Sequence, residues 1–400
     1  MPASEAPALL SFLRAREDEM CRLLLRLVEA ESPSLEPEAQ REAFALLAAE
    51  LEACSFRVRR IRGRETGDHL YARPGRRTRG AQLQLLVGHL DTVWPTGTLE
   101  RMPAVCVDGR VHGPGAFDMK GGLVQLVFAL RALKELGLEP PATPVVLVAA
   151  DEEIGSRESG RFLELLAPAA ARAFVLEPGF GPAGALKTAR KGAGRFTVTV
   201  RGRAAHAGVS PEEGVSAILE LSHLVQTLFA LNDPERGVTV NVGTIDGGLR
   251  PNIVAPEARA VVDVRVPTDE DARAIEAAIH AVEPSRRGCS LEVAGRIGRP
   301  PMPPNERNEG LARTAERLAG ELGLELSSSA VGGASDANTT SLHTATLDGL
   351  GPVGDGAHAE HEHVVAARMP ERAALLALLL LSPVSSARPA PSPVARTAGR

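Results

Sequence analysis

The sequence predicts an α/β protein: a layered domain with a largely parallel sheet, carrying an inserted β-α-β-β-α-β module of the ferredoxin-like kind. Three observations predict it. Apolar runs such as "VVLVAA" (residues 145–150) alternate with amphipathic helical stretches up to about residue 190, as expected for strands covered on both faces. From residue 191 the order becomes strand, helix, strand, strand, helix, strand. Sequence of the first kind resumes near Pro303. The predicted layout is therefore residues 1–190 and 303–382 for the layered domain, 191–302 for the insert, and 383–400 for a Pro/Ser/Ala/Arg-rich disordered tail.

In chain order, Pro37 to Leu51 reads as a helix with Phe44, Leu46, Leu47 and Leu51 towards one side and Pro37 at its first position. Leu83 to Val87 reads as a strand ending at Gly88, and Gly122 to Leu136 as a helix. Val145 to Ala150 and Ala173 to Pro178 read as two more strands. In the insert, "RFTVTVRG", "GVTVNVGTI", "ARAVVDVRV" and "CSLEVAGRI" read as strands. A helix is predicted from Ser210, with Ser210 as N-cap, Pro211 at the first position and Glu213 closing a capping box; Thr268 is predicted to cap a second.

Composition excludes several classes. Apolar residues make up 44% and charged residues 24%, which allows a sizeable core. The formal net charge of -5, without a basic block, argues against a nucleic-acid surface. The four cysteines show no C-x-x-C spacing and read as buried thiols, not a disulfide frame or a zinc ribbon. The N-terminus has no signal-peptide pattern, and the longest apolar stretch, Ala373 to Leu381, is far short of the ~20 residues a membrane helix needs. The expectation is a cytoplasmic protein that engages neither membrane nor nucleic acid.

Histidine and carboxylate residues gather at the strand ends. His89 and Asp91 follow one strand, Asp151, Glu152 and Glu153 a second, and Glu177 a third, while Asp118 sits in the bend "GPGAFDMKGG". Ligand sites of α/β sheets collect beyond the carboxyl ends of strands. So many carboxylates, with Lys120 the nearby cation of these motifs, call for one or two divalent cations as counter-charge. Taken singly each piece is weak. An H-x-D is common, "DEE" suits a solvated turn, and "GPGAFDMKGG" lacks the order of a phosphate loop. "GDGAHAEHEHVV", with His358, His361 and His363, could be a surface loop. Co-occurrence in order carries the argument.

At this point the chain resembles the M20 metallopeptidases. "GHLDTVWPTG", "GPGAFDMKGG", "DEEIGS", "LEP", "GRAAHAGVSPEEG", "GGASDAN" and "GAHAEHEHV" match the family's blocks in order over roughly residues 10 to 382, with the glutamate carboxypeptidase branch most alike. The resemblance implies a layered zinc-exopeptidase domain and a dimerisation domain, two Zn²⁺ ions (Co²⁺ or Mn²⁺ as substitutes) and a homodimer. It also implies metal ligation by His89, Asp118, Glu153, Glu177 and His358. Asp118 would bridge, His89 and Glu177 would complete one ion, and Glu153 and His358 the other; His361 and His363 stay open as alternatives to His358. Asp91 would hydrogen-bond the second nitrogen of His89. Glu362 would match the glutamate usual there.

Glu152 would serve as general base, a role that requires a turned backbone, since neighbours on a regular strand face opposite sides. His206 would enter the partner subunit's site and hold the oxyanion. Asn252, Arg265 and Arg299 would contact substrate, an arginine fork suiting a carboxylate. "GGASDAN" would line the pocket and Trp94 its entrance. The expected function is a zinc-dependent exopeptidase or amidohydrolase that acts on a small peptide or N-acyl amino acid and releases an amino acid with a free α-carboxylate. The alternatives are an N-acyl-amino-acid deacylase (acetylornithine or succinyl-diaminopimelate type) and a non-catalytic binding protein on the same scaffold.

Overall fold

A computed structural model describes residues 5–76 and 80–384. All but the first two residues of the predicted C-terminal tail lie outside the described residues. The described chain divides into two compact units. One takes in the residues up to Thr188, Pro304–Val331 and those from Ser335 on; the other takes in Ala189–Pro303 and Gly332–Ala334.

The first unit is built on a six-stranded sheet. Across it run Phe56–Ile61, His69–Pro74, Thr143–Ala149, Leu83–His89, Ala170–Val175 and Ala345–Leu347. The last four are parallel to one another, and His69–Pro74 runs against its neighbours on both sides. Thr143–Ala149 is buried almost throughout, which explains its unbroken apolar run. Two helices supply much of the packing. Gly121–Glu135 is buried along most of its length, and the apolar Ala373-to-Leu381 segment belongs to the buried helix Arg368–Leu381. No helix of the described residues is long and apolar enough to cross a membrane.

Parallel register explains where chemistry can collect. His89 pairs with Ala149 and Val87 with Val175. The residues just past Ala149 and Val175 therefore come level with His89 at one edge of the sheet. The strand runs through Gly88 to end on His89, because the Gly88 backbone still pairs with Val148. A Cβ on Gly88 would lie 2.8 Å from Leu123 Cδ2 and 3.0 Å from Met119 Cε, so the glycine admits the helix that follows Asp118. A Cβ on Gly122 would come within 2.2 Å of the Leu176 carbonyl, which brings that helix against the strand leading to Glu177.

The second unit is the ferredoxin-like sandwich. Its order is Gly192–Arg201, helix Ala217–Phe229, Thr239–Gly247, Glu257–Val266, helix Asp269–His280, Ser290–Arg299. The sheet is antiparallel, with Gly192–Arg201 and Glu257–Val266 in the centre. Its own core includes Phe196, Val198, Leu221, Val262 and Ile279.

Two predicted helix starts are corrected. The first-unit helix spans Arg41–Ala53, and Pro37 lies in a turn before it. Buried Gln40 accounts for the delay, since its side-chain amide donates to the carbonyls of Pro33 and Ala150 and draws the preceding turn inwards. In the second unit Pro211–Glu213 is an isolated 3₁₀ turn, and the helix starts at Ala217. Val215 exchanges backbone hydrogen bonds with Arg203, which keeps the chain extended past Gly214. The N-cap is Ser216, whose hydroxyl accepts from the Leu219 amide at 3.2 Å; Ser210 caps nothing. Thr268 caps its helix, as its motif predicts, by accepting from the Asp271 amide.

Candidate dinuclear metal site

His89, Asp118, Glu152, Glu153, Glu177 and His358 meet in the first unit. Ligand atoms of His89, Glu152 and Glu177 lie within 4.8 Å of one another, as do those of His89, Asp118 and Glu153. Asp118 stands between two sets. Its Oδ1 is 3.2 Å from His89 Nε2, and its Oδ2 is 3.4 Å from His358 Nε2. Glu177 Oε1 completes the first set at 3.6 Å from His89 Nε2, and Glu153 Oε1 the second at 3.1 Å from His358 Nε2.

The supports come from distant segments. The Asp118 bend is held by Glu362, whose carboxylate accepts from the amides of Gly115, Phe117 and Asp118 at 2.9 to 3.1 Å and from the Trp94 indole N–H at 2.9 Å. His358 is the histidine of its loop that reaches the cluster. It stands at φ 61°, in the left-handed region costly for a residue with a Cβ, and such conformations gather at functional sites. His363 instead faces the His361 carbonyl through Nδ1 and packs its ring against His112.

Asp91 differs in detail from the expectation. His89 Nδ1 is nearer the Asp91 backbone carbonyl, at 2.9 Å, than its carboxylate, at 3.5 Å. The carboxylate instead accepts from the amides of Glu152 and Glu153 and from the Ser34 hydroxyl. One buried anion thus orders the turn after Ala150, the turn that Glu152 and Glu153 require to face one site. Ser34, Gln40 and His69 also support this region, and no local spacing in the sequence marks them.

Charge follows from this crowding. Burial alone would lower the His89 pKa, but contacts with Asp118, Asp91 and Glu177 outweigh it and hold it well above the usual value. Asp118 and Glu153 raise His358 to about 11. Burial and then Asp118 push Glu153 up to about 7. Asp118 stays far below the carboxylate range: burial opposes ionisation, and the bonds from His358 and His89 override it. Burial lowers Lys120 to about 7, and its ammonium is spent on the Ala30 carbonyl at 3.1 Å. The histidines, not Lys120, balance the carboxylates. The donor set fits two divalent ions: imidazole and carboxylate ligands in two groups with one shared carboxylate between them.

The family model for peptidase family M20/M25/M40 matches residues 85–382. The chain belongs to peptidase family M20. It is a hydrolytic enzyme of a metal-dependent family. M20 relatives include carboxypeptidase G2 from Pseudomonas sp. (strain RS-16), 30% identical over 373 residues that cover 90% of this chain and 88% of the relative. Acetylornithine deacetylase from Myxococcus xanthus is 30% identical over 259 residues, covering 60% of this chain and 65% of the relative. Among solved M20 structures, the metallo-carboxypeptidase Sso-CP2 from Sulfolobus solfataricus has the same fold, with a TM-score of 0.75 at 16% identity over 91% of this chain and 99% of that one.

His206, Asn252, Arg265 and Arg299 lie in the second unit. His206 is exposed, accepts from the Gly208 amide through Nδ1, and forms a backbone bridge with Ile253, next to exposed Asn252. Arg265 already has a partner: its Nε and Nη2 donate to the two oxygens of Asp263 at 2.9 and 3.0 Å. Arg299 ends the strand Ser290–Arg299 and is half-buried. In "GGASDAN", Ser335 caps the helix Asp336–His343, and Asp336 accepts from the Ser156 hydroxyl at 2.5 Å.

Proposed function

We propose that this M20 hydrolase is a dizinc exopeptidase of the glutamate carboxypeptidase kind, which hydrolyses an amide and releases an amino acid with a free α-carboxylate. The observation that carries the reading is the position of Asp118, with one carboxylate oxygen towards His89 and Glu177 and the other towards His358 and Glu153. The 30% identity to carboxypeptidase G2 over 90% of the chain supports the substrate class. His89, Asp118 and Glu177 would hold one ion, and Asp118, Glu153 and His358 the other. The ions would lower the pKa of an attacking water and offset charge on the amide oxygen.

Glu152 would take the water's proton and return it to the departing amine. Glu152 is buried, at 7% exposure. The Asp91 carboxylate would aim it by holding its amide. The assembly would be a homodimer in which the partner subunit's His206 steadies the oxyanion. Asn252, Arg265 and Arg299 would bind the substrate's carboxylate end. Arg265 would then exchange Asp263 for the substrate, at the cost of one half-exposed pair.

The likeness to acetylornithine deacetylase favours a second reading, N-acyl-amino-acid deacylation. Turnover of zinc-loaded protein on dipeptides, C-terminal glutamyl amides and N-acetyl amino acids separates the two. Preference for C-terminal glutamyl amides supports the first reading, preference for N-acetyl amino acids the second, and turnover of none overturns both.

A further inference from the structure

Two buried side chains outside the metal cradle clamp the backbone of one residue, Ala150, from both sides. His69 Nδ1 accepts from the Ala150 amide at 3.1 Å. Gln40 Nε2 donates to the Ala150 carbonyl at 3.1 Å and to the Pro33 carbonyl at 2.9 Å. His69 is 0% and Gln40 1% exposed. His69 Nε2 and Gln40 Oε1 have no hydrogen-bond partner among the described residues. Buried polar atoms left in that condition cost stability, so their presence asks for a reason.

The reason lies in the chain beyond Ala149. The sheet ladder stops at that residue, whose carbonyl still accepts from the Leu90 amide. The next backbone groups have no strand to pair with, yet they are buried and need partners. Side chains provide them in succession. The Ala150 amide goes to His69, its carbonyl to Gln40, and the amides of Glu152 and Glu153 to the Asp91 carboxylate. In a continued strand Glu152 and Glu153 would face opposite ways.

We propose that His69 is a positioning residue for hydrolysis: by accepting the Ala150 amide, it sets the turn that aims Glu152 and Glu153 at one site. This rests on the roles assigned above to those two glutamates. Accepting an N–H requires the Nδ1 lone pair, so the ring is neutral with its proton on Nε2. Burial lowers the pKa of His69, against the opposing charges of Asp151 and Glu158, and keeps it in that form. Asp151 Oδ2 accepts from the amides of Glu158 and Ser159, and Oδ1 lies 4.0 Å from His69 Nδ1, beyond hydrogen-bond reach, so the partner of Nδ1 is the Ala150 amide. Phe162 packs its ring edge-on against the imidazole at 5.8 Å, which fixes the ring's orientation.

The acceptor position makes the test selective. An asparagine at 69 can put its carbonyl oxygen where Nδ1 stands, whereas a glutamine reaches to where Nε2 stands. His69→Asn, His69→Gln and His69→Leu are compared in the full chain by melting temperature, kcat, KM, and hydrogen exchange of the amides from Ala150 to Glu153. His69→Gln and His69→Leu should lower kcat by about 10–100-fold, the usual consequence of losing a group that orients a catalytic one. They should leave KM nearly unchanged and speed exchange at those amides, while His69→Asn restores most of both. A folded His69→Leu protein with unchanged kcat and exchange overturns the proposal, as does rescue by glutamine where asparagine fails. If no His69 variant folds, Gln40→Met, which frees the carbonyl of the same residue, must deprotect the same amides and lower kcat; normal values there overturn it. The exchange measurement needs no turnover. Wild-type protein without metal-dependent hydrolysis therefore removes the functional reading alone, and an active wild type beside an unaffected His69→Leu removes this inference alone.

Discussion

The two units carry their candidate chemistry in opposite ways. In the first, His89 is 1%, Asp91 0%, and Glu152 and Glu177 each 7% exposed, and their supports come from segments scattered along the chain. In the second, His206 and Asn252 are exposed, and the fork of Arg265 is closed on a neighbour two residues away. Buried carboxylates close together are costly and call for a counter-cation. Exposed polar groups cost little, so their geometry suits structure and recognition alike. The difference shows how far each region's function can be argued from shape alone.

The largest expected effect falls on the first unit. Chelation should abolish hydrolysis, and zinc, cobalt or manganese should restore it. A cation that takes Asp118 and Glu153 must also displace the proton that they hold on His358 up to about pH 11. The hold of Asp118 is kept as pH falls and lost only above the raised pKa, while Glu153 takes up a proton of its own near and below pH 7. Metal uptake near neutral pH should therefore release protons and weaken as pH falls. Titration calorimetry in buffers of different ionisation enthalpy measures this, and full activity in rigorously metal-free protein would break the comparison at its strongest point.

Next in size is Glu152→Gln. It keeps the shape of a buried side chain and removes the proton acceptor, so kcat should fall by roughly 10²–10⁴-fold. Bound metal, read by elemental analysis, should be unchanged, whereas Glu153→Ala should lose metal. Metal loss in the Glu152 variant alone would reverse the two roles.

A smaller effect is expected in the second unit. Arg265→Ala should raise KM for substrates with a free α-carboxylate by about tenfold, near the lower end for a hydrogen bond to a charged group because this arginine is partly solvated. Amidated substrates should be little affected. Asp263→Asn, which loosens the competing pair, should lower KM for the acid substrates. If the acid-to-amide preference is unchanged in both variants, Arg265 is a structural arginine and recognition lies elsewhere.

Smallest is a stability change without chemistry. Ser216→Ala should cost about 1 kcal/mol, the usual worth of an N-cap, and Ser210→Ala much less. Thermal melts of the two variants decide which serine starts the helix.

The order of these effects matches what could be read from residues. The strands and helices of both units were legible because burial imposes a period on the sequence. His89, Asp118, Glu152, Glu153, Glu177 and His358 were legible as candidates because each belongs to a short motif at a strand end or loop. The choice of His358 over His361 and His363 was not, since three histidines within six residues offer the same chemistry and only loop geometry separates them. The start at Ser216 was hidden for a related reason. Ser210-Pro211 is the better local signal, but pairing between Val215 and Arg203 overrides it.

By itself, the sequence determined which residue types stand at the ends of which strands, and with them the class of chemistry and the ferredoxin-like order of the second unit. Tertiary structure decided who holds those residues in place. Ser34 reaches Asp91 across 57 positions and His69 reaches Ala150 across 81, while Glu362 ties the Asp118 bend from 244 or more positions away. Local periodicity records only the face an element buries. A hydrogen bond between distant segments leaves no such period, because its partners are brought together by the packing of the whole sheet.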